Sequence, residues 1–184
     1  MSDFKRWYVP GGTYFFTVVC YQRSRLFEHE RARRLLGDVI RRVRQDSPFH
    51  VVASVLLWDH LHMVWSMPTG DCAYSDRWRR IKRDFTVEWL AAGGVAVAVK
   101  SAQARRGHRG IWQRRFFEHL VRDESDLDRI CDYVHFNPVK HGYVESPWDW
   151  QWSTFRRFVS AGQYTRAWGA KPPPHAHTLA YDCE

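Results

Sequence analysis

Two imidazoles stand two residues apart in the stretch WDHLHMVWSMP, Trp58 to Pro68, inside a run that is otherwise apolar and strand-prone. Side chains alternate along a strand, so His60 and His62 share one face with roots ~6 to 7 Å apart, and Leu61 points the other way, into a core. Neutral imidazole is a common metal ligand and the pair can converge on one cation, but a third ligand must come from elsewhere in the chain. Taken alone, a His-x-His pair also fits two satisfied core or surface histidines.

The elements that must position this pair follow from hydrophobic pattern. TYFFTVVCY, Thr13 to Tyr21, is β-branched and aromatic without a helical period and reads as a buried strand after the turn at Pro10 to Gly12. Glu28 to Gln45 has an apolar stripe of Leu35, Leu36, Val39, Ile40 and Val43 and reads as a helix that Pro48 stops. FHVVASVLLW, Phe49 to Trp58, is a second strand, joined through Asp59 in a hairpin to the strand that carries both histidines. Tyr74 to Leu90 is a second helix, with Trp78, Ile81, Phe85 and Trp89 on one face and Arg77, Arg79, Arg80, Lys82 and Arg83 crowded around it. The small and basic segment from Ala91 to Gly110 reads as an insertion or mobile loop. Ile111 to Val121 resumes as a strand with Arg114 and Arg115 in its middle. Asp123 to Asn137 is a third helix, opened by acids and ended by Pro138, and Ser153 to Ala161 a short one. The order β-α-β-β-α-β-α predicts an α+β, ferredoxin-like antiparallel sheet with helices on one face, plus a C-terminal helix.

Composition narrows the partner. The 184 residues fit one domain over 1–169 with a loose tail over 170–184, and 28 Lys and Arg against 20 Asp and Glu give a net charge of +8. That excess, interleaved with 10 Trp, favours an anionic partner whose bases can stack on aromatic rings. Cys20, Cys72, Cys131 and Cys183 have no zinc-knuckle or disulfide spacing, and no apolar run is long enough to span a membrane, so a soluble, cytoplasmic protein is expected.

Tyr133 and Asn137 lie four apart on the third helix, on one face about one turn, ~5 to 6 Å, from each other. If that face overlooks the histidine strand, a hydroxyl nucleophile and an amide-oxygen ligand meet the imidazoles. Read singly, Tyr133 is a core or rim tyrosine and Asn137 a helix C-terminal cap.

GGTYFFTVV, WDHLHMVWSMP, RWRRIKRDFT, IWQRRFFEHLVRDESDL, DYVHFNPVKHGYV and DWQWSTF, in this order, resemble the REP-associated tyrosine transposases, relatives of the insertion-sequence single-strand transposases and members of the His-hydrophobe-His endonucleases. The resemblance covers Lys5 to Phe158. It implies a nuclease domain that recognises a repetitive extragenic palindrome hairpin and cuts single-stranded DNA near its foot. By position it makes His60, His62 and Asn137 the metal site, for Mg²⁺ or Mn²⁺, and Tyr133 the nucleophile of a 5′-phosphotyrosine intermediate. It also implies a location at the bacterial nucleoid. The residues alone leave the metal open, since two imidazoles suit zinc, copper or iron while an amide oxygen and phosphate suit magnesium or manganese. The proton acceptor for Tyr133 is open among His135, His119 and metal-bound water.

For DNA contact the sequence offers Arg79, Arg80 and Arg83 on the second helix, Arg114 and Arg115 on the following strand, and Arg6 and Trp7 in the lead. Two other classes fit parts of the pattern: a non-catalytic single-stranded nucleic-acid-binding module of ferredoxin-like fold, and a zinc hydrolase in which Tyr133 only orients substrate. A monomer is favoured over a homodimer, provided that Tyr133 meets the histidines of its own chain.

Overall fold

Every residue from Tyr14 to Val19 of β1 (Thr13–Val19) is buried, which is why its sequence shows no in-and-out alternation: both faces of this strand are covered. The computed structural model describes residues 7–173, so Arg6 and residues 174–184 lie outside the described residues. β1 pairs antiparallel with β3 (His60–Ser66) and β4 (Phe117–Leu120), and β3 pairs antiparallel with β2 (His50–Leu56), giving the order β2-β3-β1-β4. This is the α+β arrangement expected of the chain.

Period-two alternation then sorts the sheet into two cores. Tyr14, Phe16 and Val18 of β1 join Leu61, Met63 and Trp65 of β3 beneath α1 (Glu30–Asp46) and α2 (Tyr74–Ala91). Phe15 of β1 and Val64 of β3 face the opposite way, onto α4 (Glu124–Lys140) and α5 (Phe155–Ser160). The histidine strand therefore puts Leu61 into one core and both imidazoles toward the other, under α4. The stretch from Trp150 to Thr154 lines the outer edge of β2, where Leu56 N–H donates to Trp152 O at 2.8 Å and Trp150 Nε1 donates to Leu56 O at 3.0 Å. Those bonds occupy backbone groups that an edge strand would otherwise expose.

Three local expectations are corrected. Pro138 does not end the tyrosine helix: α4 runs on to Lys140, and His141 N–H closes it onto Asn137 O at 3.0 Å. A proline forfeits one intrahelical donor, and here the buried ring is held by the packing around it while the next turn makes its own bonds. The strand expected over Ile111 to Val121 is ordered as β4 only at Phe117–Leu120, preceded by a bridge between Trp112 and Cys20. Arg114 and Arg115 leave the sheet between these two points, exposed. Arg77, counted among the cations of the second helix, is buried, with a fork onto Asp71 at 2.5 and 3.1 Å and further bonds to Ser47 O and Pro48 O.

The 91–110 segment contains α3 (Ser101–Arg105) and is tied at several points, by Trp89 Nε1 to Val95 O at 3.0 Å, Val97 N–H to Gly110 O at 3.1 Å and Tyr21 Oη to Gln103 Oε1 at 3.0 Å. Gly110 cannot be exchanged freely. Its φ is +71°, and a Cβ there would fall 1.9 Å from Val97 O.

Candidate active site

His60 and His62 are completely buried on β3, their rings 4.9 Å apart and nearly perpendicular. Each is oriented through Nδ1. His62 Nδ1 lies 2.9 Å from Thr17 Oγ1, which the β1–β3 register sets directly opposite it. His60 Nδ1 lies 2.7 Å from Asp59 Oδ1. A carboxylate only accepts, so His60 donates through Nδ1 and carries its lone pair on Nε2. Second partners of this kind set the tautomer of metal-binding histidines.

Asp59 is itself held. Burial alone would raise its carboxyl, but hydrogen bonds from His60 and Arg23 and the Arg23 charge outweigh that and keep it below the ordinary carboxylate range. Arg23 Nη1 sits 3.2 Å from Asp59 Oδ2 and reaches it from a strained turn in which Gln22 and Arg23 have φ of 51° and 55°. Left-handed backbone at two successive non-glycine residues is costly and persists where surrounding contacts fix it.

Facing this strand, α4 lays three side chains along one stripe. Tyr133, 2% exposed, packs its ring edge-on against His62 at 5.2 Å and against Phe15 at 5.9 Å. Two turns on, the His141 ring lies 5.2 Å from His60. Asn137 is spaced midway between them along the helix, fully buried, with Nδ2 donating to Tyr133 O at 3.2 Å. Its Oδ1 is buried without a hydrogen-bond partner among the described residues. Such an oxygen is costly unless something else satisfies it. The amino group of Lys140 lies 5.1 Å from the centre of the Tyr133 ring. One chain thus brings its own tyrosine to its own histidines.

The proposed proton acceptors on α4 and β4 are turned elsewhere. His135 Nε2 bonds Thr154 Oγ1 at 2.8 Å beneath Phe158, and burial pushes its pKa down to about 3. His119 Nε2 is paired with Asp126 at 2.8 Å. That carboxyl lies well below its usual range: burial opposes ionisation, but hydrogen bonds from His119 and Arg122 overcome it.

The nucleic-acid candidates gather away from the imidazoles, on the α2 side. Arg79, Lys82 and Arg114 line one cleft of about 410 Å³ with Tyr8, Ser75 and Phe116. Arg83, Arg106, Arg109 and Arg114 border a second, of about 600 Å³, floored by Val87, Leu90, Ile111 and Trp112. Arg80 turns toward α1 and pairs with Asp46, and Arg115 is exposed beside Arg114. Trp7 is 66% exposed and its carbonyl accepts from Tyr74 Oη. Arg6 lies outside the described residues. Sequence reasoning missed Thr17, Asp59, Lys140 and His141. The last two were within reach, because His141 continues the four-residue spacing of Tyr133 and Asn137, but only on a helix that crosses Pro138.

No family model matches the chain. Among known proteins, a REP-associated tyrosine transposase of Escherichia coli is 39% identical over 169 residues, covering 91% of each chain. A relative in Haemophilus influenzae is 38% identical over 172 residues, covering 94% of this chain and 96% of its own. A solved structure of a REP-associated tyrosine transposase bound to a REP hairpin superposes with a TM-score of 0.76 at 38% identity, over 94% of both chains.

Proposed function

The chain belongs to the REP-associated tyrosine transposases, enzymes acting on DNA, and from that membership and the geometry above we propose that it cleaves and rejoins single-stranded DNA at the foot of a repetitive extragenic palindrome hairpin through a 5′-phosphotyrosine. The observation that carries the reading is the meeting of Tyr133 with His62 across the β3–α4 contact, beside a buried Asn137 oxygen that has no hydrogen-bond partner among the described residues. The hairpin-bound relative supports the choice of substrate.

His60 and His62 through Nε2, with Asn137 through Oδ1, would hold one divalent ion, Mg²⁺ or Mn²⁺. The observation that fits a bound cation is the buried Asn137 oxygen, an oxygen donor of the kind these ions take, with no hydrogen-bond partner among the described residues. When bound, such an ion supplies Lewis-acid polarisation of a phosphate oxygen. Tyr133 supplies the nucleophile: its oxygen bonds to phosphorus, the P–O3′ bond breaks, and O3′ leaves with the bonding pair to become a free hydroxyl once protonated. That hydroxyl, or one on another strand, can reverse the step, so joining needs no nucleotide hydrolysis. Burial of Tyr133 against Phe15 and His62 fixes its direction of approach.

We also propose that the hairpin's phosphates lie along the basic clefts of α2 and the 91–110 segment, where Arg79, Lys82, Arg83, Arg106, Arg109 and Arg114 gather. Trp112 at this end bridges Cys20, next to Val19, whose partner across β1–β3 is His60. The cleft that Trp112 lines therefore borders the same end of the sheet as His60, on the opposite face. A single chain suffices for the chemistry, which supports action as a monomer.

The test is a hairpin with a single-stranded foot, labelled at its 3′ end, incubated with Mn²⁺ and resolved on a denaturing gel. Wild type should give a labelled covalent adduct and Tyr133→Phe none. Salt-sensitive binding without cleavage would favour a binding module, and turnover surviving Tyr133→Phe a hydrolase.

A further inference from the structure

We propose that Lys140 is a catalytic residue of the cleavage step, its ammonium donating to a non-bridging oxygen of the scissile phosphate while Tyr133 attacks. This rests on the transposase reading above. Three observations lead to it. First, Lys140 Nζ lies 5.1 Å from the centre of the Tyr133 ring. An ammonium on a flexible four-carbon stem at that distance reaches, by a change of rotamer, a phosphate bonded to the oxygen of the same ring. Second, the placement is a consequence of the backbone. Tyr133, Asn137 and Lys140 stand at i, i+4 and i+7, on one stripe, because α4 continues through Pro138 instead of stopping there. Third, charge has to be balanced on two sides. Phosphoryl transfer spreads negative charge over the equatorial oxygens, and His60, His62 and Asn137 all lie on the sheet side or one turn back along the helix. Lys140, half-buried at the last turn of α4, supplies positive charge from the outer side.

In this step the Tyr133 oxygen bonds to phosphorus as the P–O3′ bond breaks. The phenol proton passes to solvent, O3′ departs with the bonding pair and is protonated there, and Lys140 keeps its three protons throughout. The bland alternative is that Lys140 only complements the helix C-terminus and covers the Tyr133 ring. The two differ in one respect: only a phosphate-bound lysine is sensitive to the charge of the scissile linkage.

The experiment compares wild type, Lys140→Met and Lys140→Arg on two hairpin substrates, one with a natural scissile phosphodiester and one with an uncharged methylphosphonate at that bond. The readout is the rate of covalent adduct formation. Lys140→Met keeps the apolar stem, and an unchanged circular dichroism spectrum and urea midpoint in the absence of DNA show that it is folded. On the diester it should slow adduct formation about 100-fold, the order seen when one preorganised donor to a developing anion is removed. Lys140→Arg should retain most of the rate. On the methylphosphonate the ratio of wild type to Lys140→Met should fall close to one. Equal slowing on both substrates, or none on the diester, overturns the proposal. If neither protein cuts the methylphosphonate, the diester ranking decides: retention by Arg with loss by Met supports the assignment, and equal loss in both overturns it. Absence of adduct with wild type would instead overturn the transposase reading itself.

Discussion

Asn137 concentrates the tension between stability and chemistry at the scale of a single residue. Its Oδ1 is buried with no hydrogen-bond partner among the described residues, a situation that costs on the order of 1–3 kcal/mol. Asn137→Leu is therefore expected to raise metal-free stability by about 1 kcal/mol, read as a higher urea midpoint, while abolishing metal-dependent cleavage. A lower midpoint with cleavage intact would show that the amide is merely structural. Asp59 acts one step removed, by directing the His60 proton to Nδ1. Asp59→Asn should weaken Mn²⁺ binding to the protein alone by about 10- to 100-fold, measured by calorimetry, without loss of fold. The histidine pair, the tyrosine and the asparagine were legible in the sequence because each belongs to a motif of fixed spacing. Thr17 and Asp59 were not. Thr17 reads as an ordinary strand threonine and Asp59 as a turn residue until the β1–β3 register puts one opposite His62 and the hairpin puts the other against His60.

At the scale of the element, α4 does most of the positioning, and two of its buried titratable groups, His135 and Asp126, give it a distinct acid response. His135 has its pKa pushed down to about 3, so it remains neutral in the folded chain well below the point at which the unfolded chain takes up a proton. Stability is then complete above pH ~6.5 and is lost as pH falls from there toward the folded value, at about 1.4 kcal/mol per pH unit. Asp126 has a depressed pKa, so its contribution is present above the unfolded carboxylate value of about 3.9 and is lost only as pH falls through its folded value. The windows separate. Between pH 6.5 and 5, wild type should lose about 2 kcal/mol more than His135→Gln in urea unfolding. Equal losses would show that His135 is not kept neutral. The sequence placed this helix and its acidic start correctly, since Asp123 caps it by accepting from Asp126 N–H at 2.8 Å. It misplaced the end, because a rule about proline that holds for exposed backbone was overridden by packing around a buried ring. That one turn carries Lys140 and His141 to the site.

At the scale of the whole molecule, a sheet covered on both faces divides the work. One face, under α4, carries the proposed catalytic groups, while the other supports α2 and the basic clefts. The alternation of β3 shows this division where Leu61 stands between His60 and His62, but Met63 to Trp65 read as a continuous apolar run because both faces are buried. The net charge of +8 pointed to an anionic partner but not to the proposed track, which takes shape only when Arg106 and Arg109 fold back beside Arg83 and Arg114. Neutralising Arg106 and Arg109 together should weaken hairpin binding and reduce the slope of log affinity against log salt by about 0.9 for each phosphate that is no longer neutralised. The same change at Arg34 and Arg41, exposed and paired with Glu30 and Asp38 on α1, should leave that slope unaltered. The central claim, that Tyr133 becomes joined to DNA beside the imidazole pair, is tested most directly by digesting the covalent complex and locating the nucleotide by mass spectrometry. The account predicts a 5′-phosphate ester on the Tyr133 peptide; a nucleotide on any other residue, or cut DNA with no modified peptide, would contradict it.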